Sequence, residues 1–239
     1  MVSDLFPLTV RGATTRRRGR TLVGPVDLAL DGAGTCVVLG PNGSGKTSLL
    51  RLLHGIARLS DGTIDWACGM AAARNAQGFV FQRPVMLRRS VLDNLAYPLR
   101  ARGVAAGAAR ARAADWAGRV GLGALLERPA PVLSGGEQQK LAIARALVTE
   151  PALVFLDEPT AALDGRATRE IEGILADAAA TGTRLILSTH DMGQARRLAS
   201  RIVFLLGGRV HETGPAASFF AAPASPEGRA FLNGDIVEC

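Results

Sequence analysis

The chain has 239 residues, 48% hydrophobic and 21% charged, enough to bury a core as one large α/β domain or two small ones. Its formal net charge is +7, but only Lys46 and Lys140 of the 28 basic residues are lysine, and the arginines are scattered without interleaved aromatics, which weighs against a nucleic-acid surface. The three cysteines, Cys36, Cys68 and Cys239, form no C-x-x-C pair, which argues against a disulfide framework or a zinc site, and a reducing compartment is expected; no charged-then-apolar leader follows Met1, and no apolar run approaches the ~20 residues of a membrane span, so any spanning is expected from other chains.

Residues 5–10 and 21–30 read as strands, the second alternating through Leu22, Val26, Leu28 and Leu30, with Arg16-Arg17-Arg18-Gly19-Arg20 as the turn of a hairpin. Residues 35–39 form a continuous apolar strand and 48–54 carry helical spacing. An Asp61-Gly62 turn leads into a short strand ending at Trp66, 68–75 reads as a surface loop, and 78–82 is a buried strand stopped by Pro84. Ser90 and Asp93 have capping-box spacing ahead of a helix over 91–100. Helices are predicted over 105–120, 122–126 and 136–148, so the section from Ser90 to about Pro131 is a helical insert. Beyond it come strand 152–156, helix 167–179, strand 184–188, helix 192–198 and strands 202–206 and 209–212. That alternation predicts an α/β fold with a mostly parallel sheet and helices on both faces.

Gly40-Pro41-Asn42-Gly43-Ser44-Gly45-Lys46-Thr47 matches the pattern G-x-x-x-x-G-K-[ST] between a strand and a helix. Its glycines let successive N–H groups turn into one concavity at a helix N-terminus, where a phosphate belongs. Lys46 can reach the β- and γ-phosphates, and the Thr47 hydroxyl can ligate Mg²⁺. Asn42, Gly43, Ser44, Gly45, Lys46, Thr47 and Ser48 are the expected nucleotide-binding residues. Further on, an apolar strand delivers Asp157 and Glu158 at its C-terminal end, where ligands of open α/β sheets bind. Asp157 is expected on Mg²⁺ with Thr47. Glu158, expected to point to the other face, suits polarising the water that attacks the γ-phosphate. Leu133-Ser134-Gly135-Gly136-Glu137-Gln138-Gln139 is a capping box by spacing, but two glycines in a helix's first turn cost about 1 kcal/mol each in an interior. They make sense where bare N–H groups and the Ser134 hydroxyl must approach a phosphate.

Together these motifs resemble the ABC ATPases over nearly the whole chain. Gly40 to Thr47 looks like the family's Walker A loop, Gln82 like its Q-loop glutamine, and Ser134, Gly135, Gly136 and Glu137 like its signature. The stretch ending in Asp157 and Glu158 looks like its Walker B strand, Ala161-Ala162-Leu163-Asp164 like its D-loop, and His190 like its switch histidine. The resemblance implies a P-loop NTPase core with an N-terminal antiparallel β subdomain (about 1–82 and 132–239) and a helical subdomain (about 83–131) in one ABC ATPase domain, 1–239. It implies ATP and Mg²⁺ as cofactors, Glu158, His190 and Gln82 as catalytic residues, and Thr47, Gln82 and Asp157 on the metal.

The resemblance further implies a head-to-tail homodimer bridged by ATP, integral membrane permease subunits docked near 83–88, a separate solute-binding protein, no nucleic acid, and a peripheral place on the cytoplasmic face of the inner membrane. Two departures stand out. The family's adenine-stacking aromatic is replaced near Arg17 and Arg18, so Arg18 is the expected base contact, and Ala161 stands where serine is common. The segments 81–90, 190–199 and 219–232 look like tungstate importer ATPases, with phosphate, molybdate and polar amino-acid importers as rivals. The other class, soluble ABC ATPases acting on DNA or ribosomes, is disfavoured, because about fifty residues separate Gln82 from Ser134 and a single cassette is present.

Overall fold

The computed structural model describes residues 5–161 and 163–235; Ala162 of the D-loop-like stretch and Cys239 lie outside them. Two sheets organise the chain. Strands β1 (Leu8–Arg17), β2 (Arg20–Leu30) and β4 (Asp61–Trp66) form an antiparallel sheet in the order β2-β1-β4. In β2 the buried Val26, Leu28 and Leu30 alternate with solvated neighbours, the pattern of a sheet covered on one face. β1 runs past its expected end because Arg16 and Arg17 keep pairing, so the hairpin turn is only Arg18-Gly19, both at positive φ (52° and 78°).

The Asp61-Gly62 pair is not a turn. It lies inside β4, where Gly62 has φ 83° and a Cβ would come within 2.4 Å of the Arg11 and Gly12 backbone, at an irregularity in the β1 pairing. The expected loop over 68–75 contains a helix, α2 (Met70–Asn75), whose alanines favour helix and whose Ala73 is buried.

The second sheet has the order β5-β6-β7-β3-β8-β9, with β5 (Gln77–Val80), β6 (Leu153–Asp157), β7 (Arg184–Thr189), β3 (Thr35–Leu39) and β8 (Arg201–Leu206) parallel and β9 (Arg209–Pro215) antiparallel to β8. All residues of β3 and β6 are buried, as expected where both sheet faces are covered. One face packs against α1 (Lys46–His54) and the antiparallel sheet; the other packs against helices that include α6 (Gly165–Ala180) and α7 (Met192–Leu198). Register sets Leu39 beside Thr189 and Asp157 beside Ser188, so the C-terminal ends of β3, β6 and β7 meet at one rim.

His54, at the end of α1, packs edge-on against Phe79 and Phe155, with ring centroids 5.4 and 5.6 Å away. Burial first, and the charge of Arg74 second, hold its imidazole below the usual histidine range, so it serves as a neutral core ring. His211 similarly lies edge-on to Phe204.

The helical insert is α3 (Val91–Ala101), α4 (Ala106–Arg119) and two 3-10 turns, the first of which, Gly123–Leu125, is all that forms of the helix expected over 122–126. Ala109, Ala113 and Ala117 recur every fourth residue, so α4 closes tightly on its neighbours. Asn94, fully buried in α3, pins the segment after Gln82. Its amide donates to the carbonyls of Leu87 (3.3 Å), Arg89 (3.3 Å) and Ser90 (2.9 Å), while its oxygen accepts from the Leu87 N–H (3.1 Å) and Arg145 (3.2 Å). Arg145, in α5 (Gly135–Leu147), also donates to the Val85 carbonyl at 2.8 Å. Asn94→Ala would strand several of these groups, and a loss of about 2–4 kcal/mol is expected. The urea midpoint of the full chain checks it, and a change under about 1 kcal/mol would remove Asn94 as the hub of this knot.

Two tail helices, α8 (Ala216–Ala221) and α9 (Pro226–Asn233), lie outside the expected elements. Phe219 and Phe231 bring their rings 5.8 and 5.3 Å from that of Phe204, sealing the sheet's second face. The start of α9 was written in the sequence: Ser225 caps it by accepting the Gly228 N–H, and Pro226 takes the first helical position.

Candidate nucleotide site

The phosphate loop is built by its glycines. A Cβ at Gly40 would lie 2.1 Å from the Leu205 carbonyl oxygen, so β3 can run past β8 only with glycine there, and Gly43 and Gly45 take φ of 84° and 100°. Ser44 is fully buried; its carbonyl accepts the Gly208 N–H at 2.9 Å, and its hydroxyl has no partner within the chain. Helix α1 starts at Lys46 with no side-chain cap and no acid in its first turn, which leaves its N-terminal N–H groups and dipole for an anion. Lys46 is buried; its ammonium donates to the Gly40 (2.9 Å) and Pro41 (3.0 Å) carbonyls and pairs with Glu158 at 3.3 Å. Those three acceptors match its three protons.

Asp157 ends β6 at 1% exposure. The hydroxyls of Thr47 (2.8 Å) and Ser188 (2.9 Å) both donate to its Oδ1, while Oδ2 is buried without a partner in the chain. An orphaned buried carboxylate oxygen beside a hydroxyl suits a hard divalent cation, and Mg²⁺ needs only one or two protein ligands when phosphates supply the rest.

Glu158 reaches the cleft by a different route from the expected strand alternation. It adopts a left-handed turn (φ 44°), held by its N–H donating to the Ser188 carbonyl (3.1 Å) and hydroxyl (3.1 Å). Its carboxylate gathers Lys46, the Gln82 amide (3.3 Å) and His190 Nδ1 (3.3 Å). Ser188, which thus fixes both carboxylates, was missed in the sequence; its signal is a buried hydroxyl at the C-terminal end of a central strand, two residues before His190.

Asn42, Gly43, Gly45, Lys46, Thr47, Ser48, Gln82, Glu158 and His190 line one cleft of about 530 Å³, together with Arg20, Thr21, Leu22 and Ala161. Arg18 does not line this cleft. It sits at the exposed tip of the hairpin, and the two-residue turn swings Arg20 to the cleft instead.

The signature-like residues are elsewhere. Ser134, Gly135, Gly136 and Glu137 line a cleft of about 800 Å³ with Leu163, Asp164 and residues of α4 and α6, and it shares no lining residue with the first. Ser134 and Glu137 form a complete capping box: the Glu137 carboxylate accepts from the Ser134 N–H and hydroxyl, both at 2.8 Å, and the Glu137 N–H donates to Ser134 Oγ at 3.4 Å. The backbone bond first and the hydroxyl bond second hold the Glu137 carboxyl below the usual glutamate range. The two glycines differ. A Cβ at Gly136 would crowd Ala167 at 3.2 Å, a packing reason for glycine, whereas one at Gly135 would meet nothing within the chain, so packing gives no reason for glycine there.

A phosphate loop, an orphaned acidic oxygen and a converging glutamate define a P-loop nucleotide hydrolase. A family model for ABC transporters matches residues 23–161, more than half of the chain. The chain is 38% identical to the phosphate import ATP-binding protein PstB 2 of Natronomonas pharaonis, over 96% of this chain and 87% of the relative. It is 35% identical to the tungstate uptake ATP-binding protein TupC of Peptoclostridium acidaminophilum, over 89% of this chain and 99% of the relative. Other relatives, at 34–37% identity, carry the names of methionine, cystine and ferric-ion importers. Among solved structures it superposes with a TM-score of 0.78, at 26% identity, on the dimeric post-hydrolysis state of the ATP-binding cassette MJ0796 bound to ADP and Pi, covering 87% of this chain and 98% of that one. The chain belongs to the ABC transporter family, among the ATP-hydrolysing subunits of importers. Among the described residues no helix is long and apolar enough to cross a membrane.

Proposed function

We propose that two copies of this chain pair head to tail, each phosphate-loop cleft closed by the other copy's signature cleft, and that ATP hydrolysis in the two joint sites drives uptake through separate membrane subunits. One observation carries the reading: the chain holds two clefts with complementary phosphate-binding features and no common residue. In the joint site Lys46 and the N–H groups of Gly43 to Ser48 hold the phosphates, and Thr47, Asp157 and Gln82 would hold Mg²⁺, which screens phosphate charge when bound. The Glu158 carboxylate takes a proton from water as its oxygen bonds to the γ-phosphorus, and the bridging oxygen leaves on ADP. Gln82 and His190 position that carboxylate and the γ-phosphate. The partner's Ser134 hydroxyl exchanges its bond to Glu137 for one to phosphate.

The same reading treats 1–239 as a single ATPase unit, with 83–131 as the section that transmits closure. It seats the assembly on the cytoplasmic membrane face with permease and solute-binding chains, and without nucleic acid. For cargo, the class is an inorganic oxyanion: TupC is matched end to end and PstB 2 at slightly higher identity. We take tungstate as the narrower reading and phosphate as its rival. Uptake of labelled tungstate and phosphate by cells lacking this gene tests it, with tungstate uptake expected to be lost. Loss of phosphate uptake alone would transfer the assignment.

A further inference from the structure

We propose that Ser188 is a positioning residue whose single hydroxyl ties the cation side of the site to the base side, so that Mg²⁺ binding and the placement of Glu158 depend on each other. The inference rests on the reading of Asp157 as a cation ligand and Glu158 as the base, and names what links them. Ser188 is fully buried in β7, where Leu185, Ile186 and Leu187 precede it. A hydroxyl buried in so apolar a strand is costly unless it bonds. Register sets it beside Asp157, and it donates to Asp157 Oδ1 at 2.9 Å while accepting the Glu158 N–H at 3.1 Å. Its proton and a lone pair thus serve two consecutive residues with different tasks.

Neither bond is needed to satisfy the fold. Asp157 Oδ1 already accepts the Thr47 hydroxyl at 2.8 Å, and the Glu158 N–H already donates to the Ser188 carbonyl at 3.1 Å. What the hydroxyl adds is the connection. On the cation side, two donors on Oδ1 fix the carboxylate and leave Oδ2 over, and the hydrogen bonds that orient a ligating carboxylate are a large part of its affinity for a metal. On the base side, Glu158 sits at φ 44°, which a residue other than glycine keeps only when its surroundings hold it there. Lys46, Gln82 and His190 hold its carboxylate, and Ser188 holds its main chain. Of these four, only Ser188 also bonds to Asp157 among the described residues. Any shift of Asp157 is therefore passed through this hydroxyl to the backbone that aims Glu158.

The test compares the full-length chain with Ser188→Ala and Ser188→Thr in steady-state ATP hydrolysis, and in binding of fluorescent ATP as Mg²⁺ is raised. The binding is measured in a Glu158→Gln background, so that turnover does not intrude. Ser188→Ala is expected to lower kcat about 10- to 100-fold, the loss of one hydrogen bond to a charged group, with KM for ATP within about threefold. The Mg²⁺ concentration that gives half the gain in ATP affinity should rise about tenfold. Ser188→Thr, which restores a hydroxyl on a side chain suited to a strand, should recover both. Within the Glu158→Gln background Ser188→Ala should cost almost no further rate, since no base is left to place. A kcat of Ser188→Ala within about threefold of the unaltered chain, an unchanged Mg²⁺ requirement, loss of ATP binding altogether, or a threonine variant no better than alanine overturns the inference. Full-rate hydrolysis by Glu158→Gln alone would instead remove the base reading beneath it.

Discussion

Glu158→Gln is expected to bind ATP at least as well as the unaltered chain, to pair with a second copy, and to turn over slower by about 10²–10⁴-fold, the contribution of a positioned general base. The substitution keeps the shape of a side chain that reaches the cleft through a left-handed turn held by Ser188, so the amide should sit where the carboxylate sat. It removes the negative charge that engages Lys46 at 3.3 Å, and an uncharged neighbour leaves that ammonium freer to meet phosphate. It also takes away the group proposed to accept the proton of water. Binding and chemistry thus part company at one atom pair.

Two measurements check this: initial ATP hydrolysis rates, and size-exclusion with light scattering in the presence of ATP and Mg²⁺. A variant that hydrolyses ATP at the unaltered rate removes Glu158 as the base. A stalled variant that stays monomeric with ATP bound keeps the base and rejects the paired site, since the second copy's signature cleft would then play no part in holding the triphosphate.

How far the sequence could be read depended on whether a local rule or a distant contact decided each element. The phosphate loop was legible because its residues answer a local demand: a left-handed Gly45, a bare helix start and a lysine one residue on. The N-cap at Ser90 and the capping box at Ser134 were legible for the same reason, since each bond closes within three residues, although Asp93 turns its carboxylate to Arg110 and leaves the Ser90 box half made. The misread pieces were decided at long range. Asp61-Gly62 carries a turn signal, but its glycine serves β1 passing within touching distance, which no window around residue 62 contains. The tail helices close over Phe204, some fifteen to twenty-seven positions away in sequence, so their phenylalanines carry no strong signal of their own.

In the site, Asp157, Glu158, Gln82 and His190 were named from motif order. That they converge follows from β6 and β7 being neighbours in register, with Ser188 bonding across the pair. Ser188 has no motif letter, only a place in the sheet. Arg18 was named because it stands where the resemblance places an adenine-stacking aromatic; pairing of Arg17 with Arg20 leaves Arg18 at the hairpin tip and puts Arg20 on the cleft.

Lys46→Ala is expected to lower affinity for ATP by at least about 100-fold, the loss of two charge-assisted hydrogen bonds to phosphate at roughly 1.5–3 kcal/mol each. The loss has two sources in this cleft. One is the missing ammonium. The other is Glu158, which loses its ion-pair partner and, with only Gln82 and His190 left to hold it, places an uncompensated carboxylate beside the incoming triphosphate.

The second source makes a prediction that a simple binding deletion does not. Adding Glu158→Gln to Lys46→Ala should recover part of the lost affinity, because the repelling charge is gone, although the double variant lacks the proposed base. Isothermal titration with ATP and Mg²⁺ on both single variants and the double gives the coupling directly, with urea unfolding of each to establish that the fold persists. Purely additive losses would mean that the 3.3 Å contact between Lys46 and Glu158 does not influence how the cleft meets phosphate. Affinity retained within a few-fold in Lys46→Ala would take Lys46 off the triphosphate altogether, leaving the loop N–H groups and the α1 dipole to bind it.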